Sequence, residues 1–157
     1  MGLFKQIRRL AYLVILLVFA LIDLDRSGLV RRTFEFYAYD GGKPAVEDRM
    51  FHKAAEREAD IKAYMEELVL GPVSMDLAPL IVKGAKLRSL MYRGSTVYAD
   101  FSGEAALPVP GGQPAITNFL AINRGIRRNF GYVSAVKLFI NGNEVFFEEF
   151  SRIFGTD

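Results

Sequence analysis

The sequence predicts an α+β domain carried behind an N-terminal transmembrane or signal-anchor helix. Three observations predict it: a basic start runs into uninterrupted apolar residues, two later segments have amphipathic helical spacing, and aromatic-rich, period-two runs surround Gly-Ser and Asn-Gly turns. The elements follow in the order strand, helix, hairpin, helix, hairpin. A chain of 157 residues suits one domain with an appendage, so the expected architecture is one mixed β-sheet with two helices on one face.

"MGLFKQIRR" precedes the thirteen apolar residues from Leu10 to Ile22, which is the layout of an export signal. At ~1.5 Å per residue such a run reaches ~20 Å, short of the ~30 Å hydrocarbon core and typical of a signal-peptide core. Cleavage also needs small residues at −3 and −1, and the residues after Ala20 (Leu21, Ile22, Asp23, Leu24, Asp25) supply no such pair. With Leu3, Phe4, Ile7 and Leu24 added and flanking charges snorkelling, the segment becomes long enough to span a bilayer. The expectation is an uncleaved anchor. Residues 1–9 form a cytoplasmic basic segment, 10–24 the membrane helix, 25–32 a linker, and 33–157 a domain outside the membrane, as Arg8 and Arg9 before the run dictate. The alternatives are a cleaved signal peptide and a buried helix, the second opposed by a run that is apolar on every side.

"RTFEFYAYD" alternates Phe34, Phe36 and Ala38 with Glu35, Tyr37 and Tyr39, a strand buried on one face. From Glu47 to Leu70 there is no Gly or Pro. Ala54, Ile61, Met65, Leu68 and Val69 there mark the inner stripe of a helix whose outer face carries Glu56, Arg57, Asp60, Lys62 and Glu66. Gly71 and Pro72 stop it. Residues 73–85 read as a connection packed down on the core, "KLRSLMYR" and "TVYADFS" as a hairpin, and "GEAALPVPGGQP" as a loop. Pro114 suits the first turn of the second helix, where Ile116, Phe119, Ile122, Ile126 and Phe130 form the buried stripe up to Gly131. "SAVKLFINGNEVFFEEF" is a second hairpin around Asn141-Gly142.

Composition removes several functions. The absence of cysteine excludes disulfides, thiolate metal sites, a cysteine nucleophile and a lipidated cysteine anchor. Residues 1–32 carry a net +4 and the whole chain +2, so residues 33–157 carry −2. A slightly acidic body does not bind nucleic acid by phosphate neutralisation.

"YMEELVLGPVSMDL", "GAKLRSLMYRGSTVYADFSGEA" and "NFGYVSAVKLFINGNEV" resemble, in that order and spacing, the GerMN domain named from germination and sporulation proteins. Three features carry the resemblance over residues 33–148: a helix ending Leu-x-x-Gly-Pro, a strand pair ending Val-x-x-Asp-hydrophobic-Ser, and a late hydrophobic-x-hydrophobic-x-Gly-x-x-Val hairpin. Val82-Lys83 departs from the family's proline before glycine, the family's frequent lipoprotein cysteine is missing, and there is one copy where some members have two. The resemblance implies a non-catalytic module at the cytoplasmic membrane, exposed outside it, without cofactor, and related to ring-building domains of envelope complexes. Its partners would be envelope proteins or copies of itself.

Asp100, Ser102 and Glu104 lack the rest of a calcium loop, and alternation sets the two carboxylates apart; they read as a strand end whose Asp and Ser bond backbone N–H groups. His52, the single histidine, reads as a surface residue of a charged helical segment. "PGGQPAI" lacks the Lys and Ser/Thr of a phosphate loop. No catalytic, cofactor or metal residues are expected, and no small-molecule substrate is evident. The candidate interaction surface is Arg124, Arg127 and Arg128 on the second helix, Lys137 on the next strand, and Tyr37, Tyr39 and Tyr98 on outward strand faces. The plainer reading of the arginines, and the one their spacing favours, is a solvated outer face. The rival function is a small envelope enzyme or ligand-binding protein acting on cell-wall material.

Overall fold

A computed structural model describes residues 9–19, 28–39 and 42–145. The chain divides into two units, residues 1–31 with 50–53, and residues 32–49 with 54–157.

In the first unit residues 9–19 form helix α1, and every one of its large apolar side chains is exposed. Among the described residues no helix is long and apolar enough to cross a membrane. The expected span 10–24 runs past residue 19 into residues outside the described ones, where residues 1–8 of the basic segment and 25–27 of the linker also lie. Residues 29–32 of the expected linker instead open the first strand. Lys53 donates its N–H to the Gly28 carbonyl at 2.8 Å.

The chain continues as β1 (Leu29–Ala38), β2 (Pro44–His52), α2 (Arg57–Leu70), β3 (Leu77–Ala78), β4 (Leu87–Arg93), β5 (Thr96–Phe101), a 3-10 turn (Gly103–Ala106), α3 (Ala115–Asn129), β6 (Ala135–Ile140) and β7 (Asn143–Glu144). The α+β class holds, but the expected single sheet is two: a three-stranded sheet in the order β2-β1-β3 and a four-stranded sheet in the order β4-β5-β6-β7. The larger one is mixed, with β5 and β6 parallel and its other pairs antiparallel. It is crossed by α2 packed on β4 and α3 packed on β6. Val97, Ala99, Phe101, Val136 and Leu138 form its buried face.

β2 corrects the reading of a helix from Glu47. Its inward positions alternate Ala45, Glu47, Arg49 and Phe51, so two charged residues occupy the half-buried side of a strand and hide the apolar period. They are compatible with burial because Arg49 pairs with Glu47 at 2.7 Å and with Glu67 at 2.9 Å while lying 4.7 Å from the Phe34 ring centre. His52 is therefore the exposed end of a strand, not part of a helix, and Ala54 lies before α2.

α2 buries Ile61, Tyr64, Met65 and Leu68, and also Asp60, which helical spacing assigns to the outer face. Tyr64 stacks on Phe34 at 4.5 Å and meets Phe130 edge-on at 5.5 Å, joining β1, α2 and the end of α3. Residues 73–85 include β3, which pairs with β1 through Tyr37 and Ala78. α3 buries Phe119, Ile122 and Ile126 as its spacing predicts. The Asn141-Gly142 turn has φ of 50° and 80°, the mirror-image turn that matches strand twist, and Gly142 fits it without strain. The returning strand of this hairpin is described only to Val145, whose N–H reaches the Leu138 carbonyl at 2.8 Å.

Candidate functional site

The seven residues proposed from sequence separate into three places. Tyr37 and Arg124 come together. Strand alternation points Tyr37 away from Phe36, yet Tyr37 is buried and not an outward aromatic. Arg124 donates to Glu35 Oε1 at 2.5 Å and to the Tyr37 hydroxyl at 2.9 Å, while that hydroxyl donates to Glu35 at 3.2 Å. Burial pushes the Tyr37 hydroxyl above its ordinary pKa, and the bond to Glu35 raises that of Arg124. This triangle ties α3 to β1. Arg124 is a half-exposed strut at the edge of this contact, its side chain 52% exposed. Arg127 and Arg128 are exposed in the last turn of α3, where cations favour the helix C-terminus, with no ion pair to either among the described residues.

Tyr98 and Lys137 face each other across the parallel β5–β6 pair, and Met91 faces Tyr98 from β4. They belong to the open face of the four-stranded sheet, where Ser89, Met91, Tyr98, Asp100, Phe139 and Gly142 line a shallow cavity of about 380 Å³. Lys137 pairs with Glu144 on β7 at 3.1 Å. This face combines apolar and charged side chains, as contact surfaces do.

Tyr39 stands in the third place, an open cavity of about 480 Å³ built by residues 69–85. Leu70, Val73 and Met75 around it are exposed, which corrects the reading of this connection as packed on the core. Only its second half, Ala78, Leu80 and Ile81, is buried. The first half is held from β2. Glu47 accepts the N–H groups of Val73 at 3.1 Å and Ser74 at 2.9 Å, and Arg49 donates to the Gly71 carbonyl at 2.8 Å. Partial burial pushes the Glu47 carboxyl up, but the bonds from Arg49, Ser74 and Val73 outweigh it and leave its pKa below the ordinary value. The signal that sequence reasoning passed over is "VLGPVSM" itself: apolar residues in a Gly-Pro connection, where a solvated turn is polar.

Asp100 and Ser102 do what a strand end requires. Asp100 accepts the Gly142 N–H at 2.9 Å, and Ser102 Oγ accepts the Lys86 N–H at 3.0 Å. Ser102 also bonds Glu104, lowering the pKa of that exposed carboxyl. Among the described residues no group of three or more His, Cys, Asp or Glu could hold a metal ion. Neither cavity is lined by a histidine or a pair of carboxylates.

A family model described as Germane, sporulation and spore germination, matches residues 35–146. The chain belongs to the Germane family. Its fold also resembles solved structures. A candidate lipoprotein from Clostridium perfringens superposes with a TM-score of 0.50 at 18% identity, over 75% of this chain and 78% of that one. The tandem GerMN domains of the sporulation protein GerM from Bacillus subtilis superpose with a TM-score of 0.52 at 19% identity, over 74% of this chain and 40% of that one. At such identities these likenesses concern the fold of the Germane domain. No curated protein matches the sequence.

Proposed function

We propose that this Germane domain is a non-catalytic interaction module of a bacterial envelope assembly, tethered to the cytoplasmic membrane through residues 10–24 with residues 33–157 outside. The observation that carries the reading is where the polar chemistry goes. Asp60, Glu47, Asp100 and Arg124 are all engaged in joining elements of the fold, while apolar and basic side chains are left exposed on the open sheet face, at the end of α3 and around residues 70–75. An enzyme uses its buried titratable groups on a substrate in a cleft; here they serve packing. The tether is supported by the uninterrupted apolar run of residues 10–22, whose described large apolar side chains are 48–67% exposed. The family's description and the sporulation protein of similar fold support a sporulation or germination context for that assembly.

Lysine-reactive crosslinking of the full chain in its native membrane tests the module. Discrete crosslinked species are expected, and their absence at every reagent concentration removes the reading. Charge reversal at Arg127 and Arg128 should reduce them with the fold intact, since exposed changes cost within ~0.5 kcal/mol. Arg124→Glu should instead destabilise the domain by breaking its contact with Glu35 and Tyr37.

A further inference from the structure

We propose that the apolar patch around the cavity of residues 69–85 is a two-fold interface between two copies of this chain, with Met75 of each entering the cavity of the other. The proposal rests on the module reading and names its partner at one surface. Leu70, Val73 and Met75 are 80%, 78% and 94% exposed, and Tyr39 at the same cavity is 44% exposed. Apolar side chains clustered in this way on one soluble surface mark a contact site. The loop that presents them is already fixed by Glu47 and Arg49, so a partner bears little ordering cost on binding.

Shape and charge select the partner. The patch has a projecting side chain, Met75, beside an open apolar cavity of about 480 Å³. It also has one exposed cation at the cavity, Lys83, and one exposed anion, Asp76, with no ion pair to either among the described residues. A two-fold axis sets residue i on residue j and j on i. Such an axis therefore seats both Met75 side chains and pairs Lys83 with Asp76 twice. A lipid surface fits less well, because the Asp76 carboxylate would enter with Met75 and lose its hydration without a partner. Few residues take part compared with the roughly 20–30 per side of a standard interface, so the contact is weak in dilute solution and forms where a tether concentrates the copies.

The chain has no cysteine, so single-cysteine crosslinking needs no background removal. Met75→Cys in the full chain, reconstituted in phospholipid vesicles and oxidised, should give disulfide-linked dimers, while exposed Ala106→Cys at the same density reports random collision. Asp76→Lys or Lys83→Asp in that background should lower the dimer yield about fivefold, since each change removes both exposed ion pairs of the two-fold contact, and the combined swap should restore it. Circular dichroism confirms that each variant is folded. A Met75→Cys yield no higher than the collision control, with the lysine crosslinks of the wild type retained, overturns the interface and leaves the module standing; loss of both overturns both. A swap that fails to restore dimers overturns the two-fold pairing. Quenching by nitroxide lipids of a fluorophore attached to the thiol of the Met75→Cys variant, without dimers, assigns the patch to the membrane and overturns the proposal.

Discussion

Arg32 on β1 and Asp60 on α2 form an ion pair at 2.5 Å with their side chains only 12% and 5% exposed. The same guanidinium donates to the Asn129 carbonyl at 2.7 Å and lies 4.3 Å from the centre of the Phe130 ring. Asn129 closes the network by accepting the Thr33 N–H at 2.8 Å and donating to the Thr33 carbonyl at 2.7 Å. One buried polar cluster thus joins β1, α2 and α3. Removing one member strands a charge. Asp60→Ala should cost about 3–5 kcal/mol in urea unfolding, and Arg32→Met with Asp60→Leu should recover most of it, because replacing both charges leaves none unpaired. Equal losses in the single and double variants would show that the pair does not carry this energy.

Gly125 of α3 faces Tyr64 so closely that a Cβ there would lie 2.5 Å from the tyrosine hydroxyl. Alanine is the better helix former by about 1 kcal/mol, yet Tyr64 is 1% exposed and its ring is clamped between Phe34 and Phe130. Overpacking wins. Gly125→Ala should destabilise by about 1–3 kcal/mol. Adding Tyr64→Phe should relieve much of that, a coupling that a double-mutant cycle in denaturant measures directly. Strictly additive losses would refute the steric account.

Glu47 links pH to the loop it holds. Its pKa is lowered from 4.5 in the folded chain, so the unfolded chain binds the proton more readily and folding is favoured by the ionised form. The contribution is complete above the unfolded value and disappears as pH falls through the lower folded one. Hydrogen exchange at the Val73 and Ser74 amides should therefore accelerate below about pH 4, beyond the intrinsic rate change, and Glu47→Gln should abolish that pH step. An unchanged step in the variant would assign it to another carboxylate.

Asp100 offers a test of the strand-end role. Asp100→Ala removes the acceptor for the Gly142 N–H and a carboxylate 3.7 Å from Arg88, and should lower stability by about 1 kcal/mol. Chelator should leave the melting temperature of the native chain unchanged. A fall of several degrees on chelation would mean that a metal is linked to folding.

Local patterns were legible wherever the chemistry of a segment agrees with its environment. The Asn141-Gly142 turn, the β4–β5 hairpin and the buried stripe of α3 depend on residues close in sequence and on backbone geometry those residues favour. The roles of Asp100 and Ser102 as N–H acceptors follow from their side-chain chemistry at a strand end, although their partners are distant in sequence. β2 was not legible, because Glu47 and Arg49 occupy its inward positions and only their mutual pairing makes this tolerable. Asp60 was misplaced for the same reason, since its neutralising partner is 28 residues away.

The sequence by itself determined the α+β class, the family, the order of most elements and the apolar N-terminal run, all of which follow from periodicity, turn residues and motif spacing. Tertiary structure alone decided that the strands form two sheets, that Arg124 reaches across to Glu35 and to buried Tyr37, and that Leu70, Val73 and Met75 face outward. The reason is physical. Period and propensity report how a residue sits relative to its neighbours in sequence, whereas burial of a charge and exposure of an apolar side chain depend on which distant element arrives to cover it.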